Sequence, residues 1–322
     1  MRRAGAGRYW LIWPAVIAVL GWAVVRAFGL ERGFPAIPLI AYTPYVAAAA
    51  LLLSGVAVAL RNWPAALACG LATASLLLAV LPRAFSGEIA SAPADRQLRV
   101  YSVNIHLGGA DPTALVARVR RFRPDFLNLQ ELTPGFAHQL EEAGIRRLLP
   151  HAVFSLRLGL SGGGIYSRFP LRRLPTAGHF PLRMPRAAMR LPDGHTIRIV
   201  DVHPQTPKRR LVSRWIEGLR DLPSAGRGAP WVLAGDFNAT LDHAELRDVI
   251  ARGYRDAGAV TGRGLEATWP AGRLLPPPVT IDHVLADRRL GIVDYGVEGL
   301  PGSDHRAIHA VLALPWPHAL NR

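Results

Sequence analysis

The hydrophobic pattern divides the chain into an apolar N-terminal part and a longer part in which apolar and polar positions alternate. Three apolar runs lie in the first part, at about residues 9–25, 37–60 and 63–81. Each run approaches the roughly 20 residues that a helix needs to cross the hydrocarbon core of a bilayer. The pattern therefore predicts a membrane domain over residues 1–81 with three transmembrane helices.

Two other interpretations of these runs are weaker. A cleaved signal peptide would explain the first run but not the other two. A tight hairpin around Arg61 and Asn62 would join the last two runs, and it would still leave them in the membrane. Arg2, Arg3 and Arg8 precede the first run, and basic residues favour the cytoplasmic side. We therefore predict a multi-pass protein of the cell membrane, with the C-terminal part on the extracytoplasmic side.

The pattern changes after a short segment of small and polar residues. Residues 82–97 contain prolines and predict a linker. Residues 98–106, LRVYSVNIH, alternate as a strand does, and residues 114–122, ALVARVRRF, place apolar side chains on one face of a helix. Further strand and helix patterns follow, so residues 98–322 predict one α/β sandwich domain.

Composition excludes several classes of protein. Half of the 322 residues are hydrophobic, which is too many for a disordered chain. The single cysteine excludes a disulfide framework and a cysteine-rich zinc site. The formal net charge of +15 favours anionic partners in general, but it does not by itself indicate nucleic acid.

Polar side chains stand at the ends of several predicted strands, where α/β proteins usually place their chemistry. They are Asn104, Glu131, His203, Asp236, Asn238, Asp282, Asp304 and His305. Carboxylate and carboxamide oxygens without thiolates suit a hard cation such as Mg²⁺, Mn²⁺ or Ca²⁺. A hard cation beside two imidazoles suits phosphoryl chemistry, because both offset the negative charge that develops around phosphorus.

The segments around these residues resemble the endonuclease/exonuclease/phosphatase superfamily. That superfamily includes pancreatic deoxyribonuclease I, abasic-site endonucleases, neutral sphingomyelinases and inositol-polyphosphate 5-phosphatases. The matching segments, in family order, are VYSVNIH, NLQEL, VDVHP, LAGDFNAT, TIDHVL and GSDHRAI. The resemblance covers residues 98–312 and implies a four-layer α/β/β/α sandwich that hydrolyses a phosphate ester with Mg²⁺, or with Mn²⁺ or Ca²⁺.

The resemblance also implies a role for each matching residue. Glu131 resembles the principal metal ligand, with Asn104 beside it, and Asp304 resembles a residue that reaches the metal or a second cation. Asp236 resembles the residue that orients or deprotonates the attacking water. Asn238 resembles its neighbour, which holds a phosphate oxygen.

Two histidines complete the implied catalytic set. His305 resembles the histidine at the scissile phosphate, and Asp282 resembles the carboxylate that fixes its tautomer. His203 resembles a histidine that protonates the leaving group or binds phosphate, although Pro204 follows it where many members have leucine. The sequence leaves open whether Asp236 or His305 is the general base.

Other residues near these motifs have simpler interpretations. His106 and His283 are predicted to be structural or solvent-facing, and His283 should point to the strand face opposite Asp282. Asp201 either tunes His203 or is an edge residue. Gly162–Gly164 lack a following Lys-Ser/Thr pair, so they predict a turn rather than a phosphate-binding loop.

The sequence thus predicts a membrane-anchored, divalent-metal-dependent phosphoesterase. Its predicted partners are a phosphate-ester substrate and the bilayer, and no protein partner is predicted. The anchor favours a phospholipid headgroup as substrate, whereas 30 Lys+Arg against 20 Asp+Glu in residues 99–322 favour nucleic acid. The alternative is a non-catalytic, membrane-bound binding module on the same scaffold, which the complete set of polar residues disfavours.

Overall fold

A computed structural model of the chain describes residues 10–156, 159, 161–176 and 184–315. The chain forms two units. The first comprises the N-terminal segment through Pro82 together with Leu241–Ala244, and the second comprises Arg83–Thr240 and the chain from Glu245 onward. Residue 9, where the first predicted run starts, lies outside the described residues, as do Arg2, Arg3 and Arg8.

The first unit is helical. Its helices are α1 Trp13–Phe28, α2 Gly33–Ile40, α3 Thr43–Ala59 and α4 Trp63–Val80. With the 3₁₀ turn that follows it, α4 makes a continuous segment, Trp63–Ala84, that is long and apolar enough to cross a membrane. The pair α1 and α2 meets the same criterion only as one span bent by 87°. Since α3 is a shorter apolar helix of 17 residues, the three predicted spans stay a prediction.

The second predicted run, residues 37–60, is divided in the structure. Residues 37–40 of this run form the end of α2, and a separate helix, α3, begins at Thr43. Pro44 lies in the first turn of α3, where its missing N–H and fixed φ favour a helix start. The first run extends three residues past its predicted end, to Phe28, where Gly29 adopts the left-handed conformation that terminates a helix.

Small residues lie between α3 and α4, and some of the large side chains of these two helices point outward. Ala47 and Ala50 of α3 are buried in one cluster with Ala72 of α4, which lets the two helices approach closely. Leu52 and Leu78 of the same helices are 73% and 78% exposed. An outer face of exposed leucines on a helical unit suits a hydrocarbon environment better than water.

The second unit contains two six-stranded sheets. The strands are β1 Gln97–Asn104, β2 Phe126–Gln130, β3 His151–Ser155, β4 Gly163–Ser167, β5 Leu171–Arg173, β6 Arg186–Arg190, β7 Thr196–Val202, β8 Trp231–Asp236, β9 Tyr254–Asp256, β10 Asp282–Asp287, β11 Gly291–Gly299 and β12 Arg306–Ala313. The first sheet has the order β11-β12-β1-β2-β4-β3, and the second has the order β5-β6-β7-β8-β10-β9. The helices are α5 Pro112–Phe122, α6 Pro134–Glu142, α7 Ile145–Leu148, α8 Val212–Arg220, α9 Ala244–Ala251 and α10 Ala257–Val260.

The two sheets share one apolar core. Val100 of β1 belongs to the same buried cluster as Ile199 of β7 and Val284 of β10. Tyr101, the next residue of β1, points the other way and packs in a second cluster with Leu115 of α5, because successive strand side chains alternate between faces. The predicted α/β architecture is confirmed as a mixed fold with two packed sheets, and helices lie outside the first sheet.

The predicted linker is attached along the second unit. Gly87 N donates to Val260 O at 2.7 Å, and Ala90 N donates to Ile292 O at 2.7 Å. Ser86 also pairs with Thr261 in an isolated β-bridge. These backbone bonds hold the segment against α10 and β11, so it is not a free tether.

Gly235 is required where β8 approaches β7. Its φ is +151°, and an added Cβ would lie 2.1 Å from the carbonyl oxygen of Val202. Backbone atoms cannot give way as a flexible side chain does, so we expect Gly235→Ala to cost about 3 kcal/mol or more. The midpoint of thermal unfolding of the purified chain measures this loss. Gly299→Ala is the control, because no atom lies within 4 Å of a Cβ there, and equal midpoints for both variants would contradict the expectation.

Candidate functional site

Strand pairing brings the predicted polar residues to one end of the two sheets. β1 and β2 pair in parallel, so Asn104 and Glu131 emerge at the same edge of the first sheet. β7 and β8 also pair in parallel, which places His203 and Asp236 together in the second sheet. Asp282 lies directly opposite Asp236 in the antiparallel pair of β8 and β10.

Asn104 joins carboxylates from the two sheets. Its Nδ2 lies 3.2 Å from Glu131 Oε1 and 3.2 Å from Asp236 Oδ2. The backbone N–H of His106 donates to Asn104 Oδ1 at 3.0 Å, which fixes the orientation of the amide. Leu107 N donates to the other Glu131 oxygen at 2.7 Å. In this orientation Asn104 positions two carboxylates, and its role as a metal ligand stays a prediction.

His305 is buried between two carboxylates. Its Nδ1 lies 3.0 Å from Asp282 Oδ2, and its Nε2 lies 3.7 Å from Asp236 Oδ2. Burial alone lowers the pKa of His305, but the charges of Asp282 and then Asp236 outweigh it and raise the pKa to about 10. Burial raises the pKa of Asp236, against the opposing effect of the neighbouring imidazole. The arrangement therefore favours an imidazolium at neutral pH.

His203 and Asn238 surround the same carboxylate. His203 Nε2 lies 3.7 Å from Asp236 Oδ2 and 3.9 Å from Glu131 Oε1. The backbone N–H of Asn238 donates to Asp236 Oδ1 at 2.8 Å, and its side-chain amide donates to Pro204 O at 3.2 Å. Asp236 is thus the residue on which the two histidines, Asn104 and Asn238 converge.

The backbone at the site is held in a conformation that residues other than glycine rarely adopt. His106, Leu107, Glu131 and Asn238 have φ values between +50° and +59°. Each such residue costs on the order of 1–3 kcal/mol and persists where surrounding contacts fix it, most often at functional sites. The hydrogen bonds to Glu131 and Asp236 supply such contacts here.

Asp304 contacts two residues that sequence reasoning did not assign to the site. Its Oδ1 lies 2.8 Å from His106 Nδ1, and its Oδ2 accepts from Trp269 Nε1 at 3.3 Å. The Trp269 ring also lies 6.4 Å from the His305 ring, between centroids. His106 was predicted to be structural or solvent-facing. It is half exposed, but its position two residues after Asn104 at the same strand end was a signal that it reaches the site.

The donor set fits a divalent cation. Asp236 and Asp282 can offer carboxylate oxygens to a cation, and these oxygens lie within 4.8 Å of each other and of a ring nitrogen of His305. As an imidazolium, His305 is a hydrogen-bond donor beside them and not a ligand. Asp282 Oδ1 is buried and has no hydrogen-bond partner among the described residues. Carboxylate oxygens are the ligands that hard cations prefer, and a buried oxygen of this kind calls for a cation or a water.

Two other predictions concern residues beside the site. His283 Nδ1 lies 2.9 Å from Asp256 Oδ2 and its Nε2 lies 2.9 Å from Ala239 O, so it has the structural surroundings that were predicted. Asp201 is fully buried and accepts hydrogen bonds from Gln130 Nε2 at 2.6 Å and Gly164 N at 2.8 Å. Burial raises the pKa of Asp201 well above its usual range.

The predicted turn at the triple glycine is partly wrong. Gly163 and Gly164 begin strand β4. Both positions need glycine because the backbone there passes close to other groups. An added Cβ on Gly163 would lie 2.6 Å from Asp201 Oδ2, and one on Gly164 would lie 2.6 Å from Leu132 Cδ2. The glycines therefore serve packing beside Asp201.

Comparison with known families identifies the chain. Residues 101–305 match the model of the Endonuclease/Exonuclease/phosphatase family. The match covers more than half of the chain, so the chain belongs to this family, and the resemblance seen in the sequence is confirmed. A comparison with the curated proteins gives no match.

Solved structures share the fold. An endonuclease/exonuclease/phosphatase from Beutenbergia cavernae DSM 12333 has a TM-score of 0.55 and 24% identity, over 68% of this chain and 72% of that one. A D. rerio TDP2 humanized by 14 mutations has a TM-score of 0.55 and 18% identity, over 67% and 99%. D. rerio TDP2 complexed with a single strand DNA product has a TM-score of 0.51 and 18% identity, over 67% and 98%. At these identities the similarity shows the fold.

Proposed function

We propose that the protein is a membrane-anchored, divalent-metal-dependent phosphoesterase. The observation that carries the proposal is the buried group of Asp236, Asp282 and His305 at the meeting point of the two sheets. Members of the family are usually hydrolases of phosphoester bonds. Burial makes it costly to ionise the two carboxylates and the imidazole between them. A binding module would have no need for such a costly arrangement.

Glu131 and Asp304, with Asn104 beside them, would hold the cation. When bound there, Mg²⁺ or Mn²⁺ supplies positive charge that offsets the charge developing on the phosphate oxygens. Mg²⁺ is the first choice because the donors are carboxylate oxygens.

The structure favours Asp236 over His305 as the general base. A proton acceptor must be unprotonated, and the two carboxylates beside His305 raise its pKa to about 10. Asp236 then takes a proton from the attacking water as the water oxygen bonds to phosphorus. The His305 imidazolium donates to a phosphate oxygen, and Asp282 fixes its ring. As the P–O ester bond breaks, a protonated His203 would give its proton to the departing oxygen and end as neutral imidazole.

Hydrolysis of a panel of substrates by the full-length chain in detergent tests this function. The panel comprises plasmid DNA, sphingomyelin, phosphatidylinositol phosphates and bis-p-nitrophenyl phosphate. We expect hydrolysis of at least one class, its loss in excess EDTA and its return with Mg²⁺ or Mn²⁺, because the cation offsets phosphate charge. Absence of hydrolysis with Mg²⁺, Mn²⁺ and Ca²⁺ would remove the proposal in favour of the non-catalytic binding module.

Nucleic acid is a second candidate substrate. The D. rerio TDP2 structure is a complex with a single strand DNA product, and it shares the fold. Residues 99–322 also carry ten more basic than acidic residues, 30 against 20, which attracts a polyphosphate backbone. Cleavage of DNA with sparing of every lipid in the panel would decide for this candidate.

Membrane anchoring and orientation belong to the same proposal. The apolar segment Trp63–Ala84 and the exposed leucines of α3 and α4 support an anchor. We propose three spans and an extracytoplasmic second unit. A protease added to intact cells is then expected to digest the second unit, because it is outside. Digestion only after lysis would place the unit in the cytoplasm.

A further inference from the structure

Two adjacent leucines are almost fully exposed in the second unit. Leu274 and Leu275 are 82% and 80% exposed, more than any other large apolar side chain among that unit's described residues. They lie at the tip of residues 270–278, which we name the dileucine loop. Single exposed leucines are ordinary, but a pair at a loop tip marks a surface that meets an apolar partner.

The base of the dileucine loop is fixed beside the candidate site. Trp269 and Val279 exchange backbone hydrogen bonds of 3.0 and 2.7 Å. Ala271 N donates to the carbonyl oxygen of Asp304 at 2.7 Å, and the Trp269 indole donates to the carboxylate of the same residue. The leucine pair therefore projects from a base that also contacts Asp304 and His305, so whatever the tip binds is brought close to the site.

The charge of the dileucine loop itself favours an anionic partner. Arg273 is exposed and precedes the two leucines directly, and residues 267–281 contain no acidic residue. Apolar side chains beside a cation are the features of segments that lie in the interface of an anionic bilayer, with the leucines at the acyl boundary and the arginine among the headgroups. The same chain has a segment that is apolar enough to span a bilayer. An anionic bilayer is therefore a partner that agrees with the rest of the sequence.

We propose that the dileucine loop inserts into an anionic lipid bilayer and that the neighbouring site acts on the phosphate ester of a lipid in that bilayer. The second part rests on the proposed phosphoesterase function, whereas the first does not. Insertion of Leu274 and Leu275 would place Trp269 and Asp304 at the level of the headgroups. The site would then meet its substrate without extracting it from the membrane.

An environment-sensitive probe on the loop tests insertion without reference to activity. Cys69 is the only cysteine and is buried, so Leu274→Cys in a Cys69→Ala background gives one labelling site for NBD. The full-length chain is reconstituted into phosphatidylcholine/phosphatidylglycerol vesicles that contain brominated acyl chains. We expect strong quenching of the probe at 274 and little at 142, where Glu142→Cys provides an exposed control on α6.

Two results would overturn insertion, and a third would overturn its selectivity for anionic lipid. The first two are equal quenching at the two positions and a blue shift at 274 without bromine quenching, and the third is undiminished quenching in vesicles of phosphatidylcholine alone. The second result would mean that a protein surface, such as another copy of the chain, covers the leucines. The third would mean that charge does not select the lipid.

Hydrolysis tests the substrate class. The double variant Leu274→Asp, Leu275→Asp is expected to hydrolyse a phosphatidylinositol phosphate in vesicles about tenfold more slowly, with unchanged hydrolysis of bis-p-nitrophenyl phosphate in solution. Equal rates on vesicles would overturn the lipid assignment and leave the phosphoesterase function intact. Failure of the parent chain on every substrate of the panel would instead remove the phosphoesterase function, and the probe would still report on the loop.

Discussion

The Asp236→Asn variant is expected to lose about a thousandfold or more in kcat/KM, much more than its loss of folded protein accounts for. Asparagine keeps the size of the side chain and one of its two acceptor oxygens, but it cannot take a proton from water. Both oxygens of Asp236 accept a hydrogen bond, one from Asn104 Nδ2 and one from the Asn238 N–H, so the NH₂ group of the variant faces one of these donors and some stability is lost. The split between activity and stability therefore separates a catalytic role from a structural one.

Kinetics with the most active substrate of the panel, together with thermal unfolding, measure both quantities. Asp294→Asn is the control, because Asp294 is exposed on β11, and it should leave both unchanged. An Asp236→Asn variant that lost activity only in proportion to its folded fraction would assign Asp236 to the scaffold. His305 would then have to act without this base, and the proposed mechanism would fail.

The sequence predicted which polar residues end strands, and strand alternation predicted which way neighbouring side chains point. The family resemblance placed Asn104 beside Glu131, and the structure shows that they meet because β1 and β2 are parallel and bring their carboxyl ends to one edge. The opposite faces of Asp282 and His283 followed from the two-residue repeat of a strand. Local sequence pattern was enough to predict strand ends and side-chain faces. The pairing of strands that are distant in the sequence came only from the family resemblance.

Residues fixed by long-range loop contacts were not predictable in this way. Trp269 has no periodic pattern around it, and it reaches Asp304 because its backbone pairs with Val279. The position of His106 two residues after Asn104 indicated that it lies near the site, but its positive φ and its contact with Asp304 could not be predicted from the residue type. The break between α2 and α3 was missed because Pro38 and Pro44 were included within one apolar run, although proline favours a helix start.

Glu131→Gln is expected to weaken Mg²⁺ binding by about 10- to 100-fold and to lower kcat/KM by about a thousandfold. Both carboxylate oxygens accept a hydrogen bond, one from Asn104 Nδ2 and one from Leu107 N. Glutamine has a single acceptor oxygen, so its NH₂ group must face one of these donors, and the negative charge that a cation needs is lost.

Calorimetric titration of the full-length chain with Mg²⁺ measures binding independently of turnover. Glu217→Gln on α8 is a matched control away from the strand ends, and it should bind Mg²⁺ as the parent chain does. If Glu131→Gln bound Mg²⁺ with parental affinity and still lost turnover, Glu131 would position Asn104 and Leu107 rather than hold the cation. The ligand set would then have to be sought at Asp236 and Asp282, whose carboxylate oxygens lie within 4.8 Å of each other.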